Sequence, residues 1–159
     1  EKDPDLHTRV TGSRPLGWST GRTSSNTQRL VHEAGCFLYD ADSYADDLPY
    51  WVETPAGDPH LVVPYTLDTN DMRFASPQGF NSGEQFFAYL RDAFDVLYAE
   101  GESSPKMLSI GMHCRLIGRP GRIASLEKFI DYVNNSADVG LCRRIDIAHH
   151  WYKHHQPVN

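Results

Sequence analysis

Residues 106–113 read Lys106-Met107-Leu108-Ser109-Ile110-Gly111-Met112-His113. A short and mostly apolar run predicts a buried β-strand, and this one ends at an ionisable side chain. Helical patterns lie on both sides of the run. One begins at the capping sequence Ser82-Gly83-Glu84-Gln85 and closes at Gly101, and the other covers residues 123–134. A strand between two helices indicates a parallel sheet with crossover helices, which places the chain in the α/β class.

Further strands and helices are predicted on either side of this stretch. Apolar runs predict strands at residues 36–39, 61–65 and 139–142, and residues 40–60 form a polar segment that we interpret as a long loop. Helices are expected at residues 24–34, with Ser24 or Ser25 as the cap and Gly35 as the stop, and at residues 145–155. Four strands are too few for a barrel of about eight. The chain is therefore either a small open sheet or, as we favour, part of a larger (β/α) barrel with parallel strands.

Composition excludes several classes of partner. The chain has 159 residues and a net charge of −6, and no run of Lys and Arg offers a footprint for nucleic acid. No apolar stretch approaches the roughly 18–20 residues of a membrane span, and residues 1–5 do not start a signal peptide. Three widely spaced cysteines without a C-x-x-C pair are typical of reduced thiols, so a cytoplasmic location is predicted. The chain starts without an initiator Met, so an upstream portion is expected.

Polar side chains gather at the predicted strand ends, where parallel α/β folds place their active sites. These are Asp40 and Asp42, residues 68–71, His113 and Arg115, and Arg143 and Arg144. His113 is the best catalytic candidate because an imidazole can transfer a proton near neutral pH. The spacing alone also fits a core histidine held by a backbone carbonyl. Cys114 would face the opposite side of the strand, which argues against a Cys–His dyad.

Three other patterns are candidate ligand sites. The acidic residues 40–51 lack the glycine of a calcium loop and carry Trp51 where its glutamate should stand, so no calcium is expected. His150 and His154 have the i, i+4 spacing of metal ligands, but they also fit an exposed terminal helix. Residues 118–122 contain two arginines that fit either an anion site or a tight turn.

Several motifs together resemble a known family. The strings at residues 14–18 (RPLGW), 47–51 (DLPYW) and 110–113 (IGMH) are similar to the last three of the five motifs of polysaccharide deacetylases. Longer strings resemble the allantoinase branch of that family, which opens the hydantoin ring of allantoin. These strings are residues 37–40 (FLYD), 63–74 (VPYTLDTNDMRF), 113–122 (HCRLIGRPGR) and 142–148 (CRRIDIA).

The resemblance implies a distorted (β/α) barrel that is longer than this chain. Residues 14–155 would be its C-terminal portion, after a lead-in or linker at residues 1–13 and before a tail at residues 156–159. The first two family motifs, which carry a catalytic-base Asp and the Asp-His-His metal site of the deacetylases, would lie upstream. No metal ligands and no cofactor are therefore expected here, and a divalent metal would bind only if the upstream motifs supply its ligands. A homo-oligomer, or association with the absent half of the barrel, is implied as well.

The resemblance also implies roles for the catalytic residues. His113 would be the general acid that protonates the departing nitrogen, Arg14 would orient the upstream Asp, and Asp47 would hold Arg14. Water activated by that Asp would attack the carbonyl carbon. The expected substrate-binding residues are Trp18, Trp51, Asn70 and Arg119.

The substrate is implied by a departure from the deacetylase pattern. Family deacetylases usually carry Leu two positions before the catalytic His, and Gly111 stands there instead. We interpret this as a widened floor that suits a ring. The expected function is hydrolysis of a non-peptide C–N bond in a small cyclic amide, allantoinase-like and part of purine or ureide breakdown. Two alternatives are a deacetylase of N-acetylated sugars and a non-enzymatic half-barrel that serves as an interaction module.

Overall fold

The computed structural model describes residues 3–157 and forms two compact units. One unit contains the residues up to Pro64 and those from Cys142 onward, and the other contains residues 65–141. Within the described range, no helix is long and apolar enough to cross a membrane. The elements in chain order are α1 (Asp3–Thr11), β1 (Gly17–Trp18), α2 (Thr27–Ala34), β2 (Tyr39–Asp40), β3 (Tyr50–Glu53), β4 (Pro59–Val62), a 3₁₀ helix (Asp71–Ala75), α3 (Gly83–Gly101), α4 (Cys114–Ile117), α5 (Pro120–Asn134) and α6 (Arg144–His154).

The first unit contains a four-stranded sheet with the order β1-β2-β4-β3. Strand β2 pairs in parallel with both β1 and β4, so that Tyr39 lies between Gly17 and Leu61. Leu61 and Val63 are fully buried, which explains why the run at residues 61–65 is unbroken in its apolar character. The predicted α/β class with parallel strands is confirmed.

The prediction of a long loop at residues 40–60 is wrong in its second half. Strand β3 pairs antiparallel with β4 and forms a hairpin there. The turn is closed by the Thr54 amide, which donates to the Asp58 carbonyl at 2.8 Å, and Gly57 adopts a positive φ of 88° that favours glycine. Cross-strand pairing of Trp51 with Leu61 outweighs the polar composition of the segment.

The second unit is built on helix α3 packed against helix α5. Phe86 and Leu90 of α3 are fully buried against Phe129 of α5, and burial of each such side chain contributes about 1.5–3 kcal/mol. The predicted capping residue is confirmed, because the Ser82 side chain accepts a hydrogen bond from the Gln85 amide at 3.3 Å. The helix ends at Gly101, as predicted.

Two predicted strands do not form within residues 3–157. Residues 106–112 belong to no strand, and their neighbour is the loop before the 3₁₀ helix. The Thr69 hydroxyl donates to the Ser109 carbonyl at 2.7 Å, and the Asp71 amide donates to the Gly111 carbonyl at 2.9 Å. Residues 139–142 also lack a ladder partner, and Leu141 is exposed. The strand predicted at residues 36–39 does form, but it is only two residues long, Tyr39–Asp40.

Helix boundaries differ from the expected ones in several places. Helix α1 occupies most of the segment that was expected to be a loose lead-in. Helix α2 begins at Thr27, after Asn26 and not after Ser24 or Ser25, whereas the left-handed stop at Gly35 is confirmed by its φ of 60°. Helix α5 begins at Pro120 rather than at residue 123 because a proline suits the first turn of a helix.

Candidate active site

His113 is held by a buried carboxylate. Its ring Nδ1 lies 2.6 Å from Asp71 Oδ1, and its backbone N–H donates to Asp71 Oδ2 at 2.8 Å. Asp71 is completely buried, whereas the His113 side chain is 31% exposed. Asp71 Oδ2 also accepts the Ile117 amide at 3.0 Å, so one carboxylate secures both the imidazole and the first turn of α4.

This arrangement determines which ring nitrogen of His113 can react. An ionised carboxylate accepts hydrogen bonds and donates none, so the proton shared with Asp71 belongs to Nδ1. The other ring nitrogen, Nε2, is then available to exchange a proton with a substrate. A buried aspartate that orients an imidazole in this way also stabilises its protonated form. The dyad can therefore serve as a general acid or base.

The space beside Gly111 is filled rather than open. A Cβ atom at this position would stand 1.7 Å from the Tyr65 hydroxyl oxygen and 2.5 Å from Asn70 Nδ2. Asn70 Nδ2 donates to the Tyr65 hydroxyl at 2.6 Å, so these two polar side chains meet where a leucine would otherwise project. The expectation of a widened floor is wrong, because Gly111 admits a polar pair in place of an apolar side chain.

Asn70 and Arg119 differ in how far their side chains are already engaged. Asn70 Oδ1 accepts the Met72 amide at 2.7 Å and caps the 3₁₀ helix, which leaves part of its amide for a substrate. Arg119 is exposed and its backbone precedes helix α5. Arg122 is used structurally, since its guanidinium lies 4.5 Å from the centre of the Phe74 ring and donates to the Leu116 carbonyl at 3.2 Å. The substrate-binding roles of Asn70 and Arg119 stay predictions.

Arg14 and Asp47, both in the first unit, are exposed and form no ion pair with each other among residues 3–157. The roles assigned to them stay predictions. Trp51 packs edge-on against Tyr152 at 4.8 Å, and its indole N–H donates to the His155 carbonyl at 2.6 Å. Trp51 thus anchors helix α6 to strand β3 in this unit. Its predicted role as a pocket wall is likewise untested.

Trp18 lines a cleft in the first unit. The cleft encloses about 340 Å³ and runs between the sheet and the start of helix α2. Its polar lining includes Asp40, Asp42 and Tyr50, and the Trp18 indole nitrogen is buried without a hydrogen-bond partner in the described part of the chain. An orphaned donor in a cleft is costly unless a ligand or water satisfies it.

Next to this cleft, three potential metal ligands lie together in the first unit. His32, Asp40 and His60 each place a ligand atom within 4.8 Å of the other two. His60 Nε2 lies 3.1 Å from Asp40 Oδ2, and the His32 and His60 rings are 4.3 Å apart between centroids. Burial lowers the pKa of His32, the neighbouring His60 lowers it further, and Asp40 raises it. His32 is therefore favoured in its neutral form, which is the form that binds a metal.

Sequence reasoning missed the partner of His113 and this cluster. Asp71 was noticed only as one acidic residue in a loop, because its contact spans 42 positions. His60 fell in a predicted loop, and His32 fell on a helix that showed no ligand spacing. No local signal relates these positions, although a histidine on the buried side of a strand is itself a weak indication of a polar partner.

Comparison with known proteins supports one family. No family model matches the chain. A Schizosaccharomyces pombe protein with the provisional name polysaccharide deacetylase is 45% identical over 157 residues, which cover 90% of this chain and 49% of that protein. A crystal structure of a Pseudomonas aeruginosa PAO1 protein, also provisionally named polysaccharide deacetylase, is 63% identical with a TM-score of 0.92 and covers 96% of this chain and 51% of its own.

Two further structures extend the comparison. The crystal structure of Puue allantoinase is also 63% identical, with a TM-score of 0.92, and matches 96% of this chain and 51% of its own. A Mycobacterium smegmatis structure that is 24% identical, with a TM-score of 0.80 over 94% of this chain and 54% of its own, shows the fold alone. The chain thus spans about half the length of the relatives that it matches and corresponds to part of their barrel. The resemblance to the polysaccharide deacetylase family is thus confirmed at 45–63% identity over that half.

Proposed function

We propose that the protein hydrolyses a non-peptide C–N bond in a small cyclic amide, in the manner of an allantoinase, and that His113 is the general acid. The observation that carries this proposal is the Asp71–His113 dyad. The Nδ1 atom of His113 is hydrogen-bonded to the fully buried carboxylate of Asp71, while the His113 side chain remains partly exposed. An imidazole held in this way can deliver a proton from Nε2 to one defined point.

The proposed reaction begins with attack of water on a ring carbonyl. In this proposal the base for the step is an Asp in a motif upstream of Arg14, as the family resemblance implies. As the tetrahedral intermediate collapses, the C–N bond breaks and its electron pair moves to nitrogen. His113 donates the Nε2 proton to that nitrogen, while Asp71 stabilises the imidazolium before the transfer. The products are the carboxylate and the ureido NH₂ group that the opened ring carries at the former C–N bond.

The polar pair beside Gly111 supports a ring substrate over an acetyl group. An acetyl methyl is best received by an apolar side chain, whereas the N–H and C=O groups of a hydantoin need hydrogen-bond partners when they are desolvated. Tyr65 and Asn70 supply a hydroxyl and an amide at that position. The comparisons support both substrates equally, since the chain is 63% identical to an allantoinase structure and to a structure named polysaccharide deacetylase.

Deacetylation of an N-acetylated sugar is a second candidate function. It is supported by the names of the Schizosaccharomyces pombe and Pseudomonas aeruginosa relatives. A third candidate is a half-barrel without catalysis that acts as an interaction module. Association with the other half of a barrel, or with further copies, follows from either enzymatic proposal. We also propose a cytoplasmic location, where the free thiols of Cys36, Cys114 and Cys142 would stay reduced.

One assay distinguishes the three functions. The protein, expressed from its natural gene, is incubated separately with allantoin and with N-acetylated chitooligosaccharides. Formation of the ring-opened ureide supports the allantoinase-like proposal, and release of acetate supports the deacetylase. If a folded preparation that contains all polypeptides encoded by the gene forms neither product, the result supports the interaction module. The His113→Gln variant is the control, because it should lower whichever activity is found by about 10²–10⁴-fold.

A further inference from the structure

His32, Asp40 and His60 come from three different elements of the first unit. His32 lies on helix α2, Asp40 on strand β2 and His60 on strand β4, and the last two strands are hydrogen-bonded neighbours in parallel. Asp40 and His60 are buried, at 7% exposure each. Together, the two imidazoles and the carboxylate form a compact cluster of polar side chains, of which Asp40 and His60 are buried.

The ring nitrogens of His32 are the unusual feature of this cluster. Both Nδ1 and Nε2 are shielded from solvent, and neither has a hydrogen-bond partner among the described residues. A buried imidazole without partners loses the hydration of two polar atoms, which is rare because each such atom costs free energy. A lone pair directed at a cation would compensate this cost.

We propose that His32, Asp40 and His60 bind a divalent transition-metal ion, with Zn²⁺ as the best match. Two imidazoles and one carboxylate form a ligand set typical of zinc and of its neighbours in the first row, whereas calcium and magnesium prefer oxygen ligands throughout. A tetrahedral ion at about 2.0–2.2 Å from each ligand would hold the ligands roughly 3.4 Å apart. The present separations lie within 4.8 Å, so the ligand atoms would have to approach one another by up to about 1.4 Å to complete the site.

The ion would take over an existing contact and add a new one. It would replace the 3.1 Å hydrogen bond between His60 and Asp40, and it would join helix α2 to the two strands through His32. Three protein ligands leave a fourth position on a tetrahedral ion. Asp40 also lines the 340 Å³ cleft, so the molecule that occupies this position would come from the cleft.

This site is separate from the metal site that the family resemblance places in the upstream motifs. All three proposed ligands belong to this chain and to one compact unit. The proposal therefore does not rest on the hydrolytic function proposed above, and it survives even if the protein proves to be an interaction module.

The test is a direct titration of the purified protein with ZnCl₂ after removal of metal by EDTA. Isothermal calorimetry and elemental analysis should give about one equivalent of tightly bound zinc in the wild type. His32→Leu and Asp40→Asn should each weaken binding by at least about 100-fold, since loss of a ligand costs more than loss of a residue that supports one. Co²⁺ in place of zinc should show the visible absorption of a tetrahedral site, and this absorption should disappear in both variants.

Thermal unfolding separates loss of a ligand from loss of the fold. At a zinc concentration about 100-fold above the dissociation constant, the wild-type melting temperature should rise by about 5–10 °C. His32→Leu should show no such rise, yet its metal-free melting temperature should be no lower than that of the wild type because it removes two unpartnered buried nitrogens. The proposal is overturned if the wild type binds no zinc at micromolar concentration, or if His32→Leu binds it as tightly as the wild type.

The matched control is a double variant at exposed histidines of helix α6. His150 and His154 have ring centroids 4.6 Å apart and are the rival pair at helical ligand spacing. The variant His150→Ala with His154→Ala should keep the full equivalent of zinc and the full rise in melting temperature. Loss of binding in this variant would assign the ion to the surface pair and overturn the proposal.

Discussion

Asp71 binds His113 twice: one carboxylate oxygen lies 2.6 Å from the ring Nδ1, and the other accepts the backbone N–H at 2.8 Å. The ring and the backbone of the same residue are therefore held by one buried group. Such double fixation leaves the imidazole little freedom to rotate away from its reactive orientation, and it ties the orientation of the ring to the local fold.

Replacement of Asp71 by Asn should destabilise the protein. Three N–H groups converge on the carboxylate, from the His113 backbone, the His113 ring and the Ile117 backbone. The side-chain amide of Asn has one oxygen acceptor, and its NH₂ group would face N–H donors instead of accepting from them. At least one buried N–H donor is then left without a hydrogen bond. We expect a loss of about 2–3 kcal/mol in the free energy of unfolding, measured by urea denaturation.

The control for this prediction is Asp68→Asn. Asp68 is an exposed carboxylate in the same loop, and it accepts the Tyr89 hydroxyl at 2.8 Å. Its replacement should cost less than about 1 kcal/mol because water can satisfy the groups that it leaves. Equal losses for the two variants would contradict the role assigned to burial.

The His113→Gln variant should lose activity without losing stability. The side chain is 31% exposed, so its removal leaves the core of the unit unchanged. If His113 is the general acid, kcat should fall by about 10²–10⁴-fold, while the urea midpoint should move little. Arg115→Ala is a suitable control, because Arg115 is an exposed neighbour on helix α4. A His113 variant with wild-type kcat would remove this residue from the mechanism.

A methyl group at Gly111 should disturb the polar pair. The added Cβ would stand 1.7 Å from the Tyr65 hydroxyl oxygen, so Tyr65 or the backbone must shift. We expect Gly111→Ala to cost about 1–3 kcal/mol, as overpacking usually does. Since Tyr65→Phe removes the nearest of the clashing atoms and leaves those of Asn70, the double variant should recover part of the loss, which a double-mutant cycle would measure as a coupling energy.

Gly101→Ala provides the comparison for that experiment. Gly101 ends helix α3, and a Cβ there would meet no atom within 4 Å. Alanine at this position should be neutral or stabilising by up to about 1 kcal/mol, because it restricts the unfolded chain. If Gly111→Ala proved as harmless as Gly101→Ala, the close approach of Tyr65 and Asn70 would not exist in solution.

The Arg143–Asp146 pair should make stability depend on pH in the acidic range. Hydrogen bonds from the Arg143 side chain and backbone lower the pKa of Asp146 to about 2. An aspartate in the unfolded chain has a pKa of about 3.9. The folded value is the lower one, so the stabilisation is complete above about pH 4 and is lost as the pH falls towards 2.

Carbon-detected NMR titration of the Asp146 carboxyl would measure this effect. The Arg143→Ala variant removes both side-chain donors and keeps the backbone N–H, so its Asp146 pKa should lie above 2 and remain below the ordinary value. Its unfolding free energy should also depend less on pH between 4 and 2. An unchanged Asp146 titration in the variant would show that the guanidinium is not the cause.

Local signals predicted several elements correctly. The serine cap at Ser82, the left-handed stop at Gly35 and the buried run that contains Leu61 all depend on residues within a few positions of one another. The same local reading failed where pairing decides the outcome. Residues 106–112 have the composition of a strand, yet no strand lies beside them in their unit, and their hydrogen bonds go to a loop instead.

The hairpin of β3 and β4 shows the opposite error. Its turn sequence, with Gly57 at a positive φ, was present in the chain, but the polar residues around it indicated a loop. Register and pairing depend on which partner strand is available, and a single segment carries no information about its partner.

Residues 106–113 show the same contrast between local sequence signals and tertiary contacts at the candidate site. The sequence by itself determined that an imidazole follows an apolar run and that a glycine precedes it by two positions, and the family motifs indicated a proton donor. Only the tertiary structure decided that the segment pairs with a loop, that Asp71 orients His113, and that Tyr65 and Asn70 fill the space at Gly111. Caps and periodicity act between neighbours along the chain, whereas these contacts join residues about 40 positions apart and form only when the whole unit has packed.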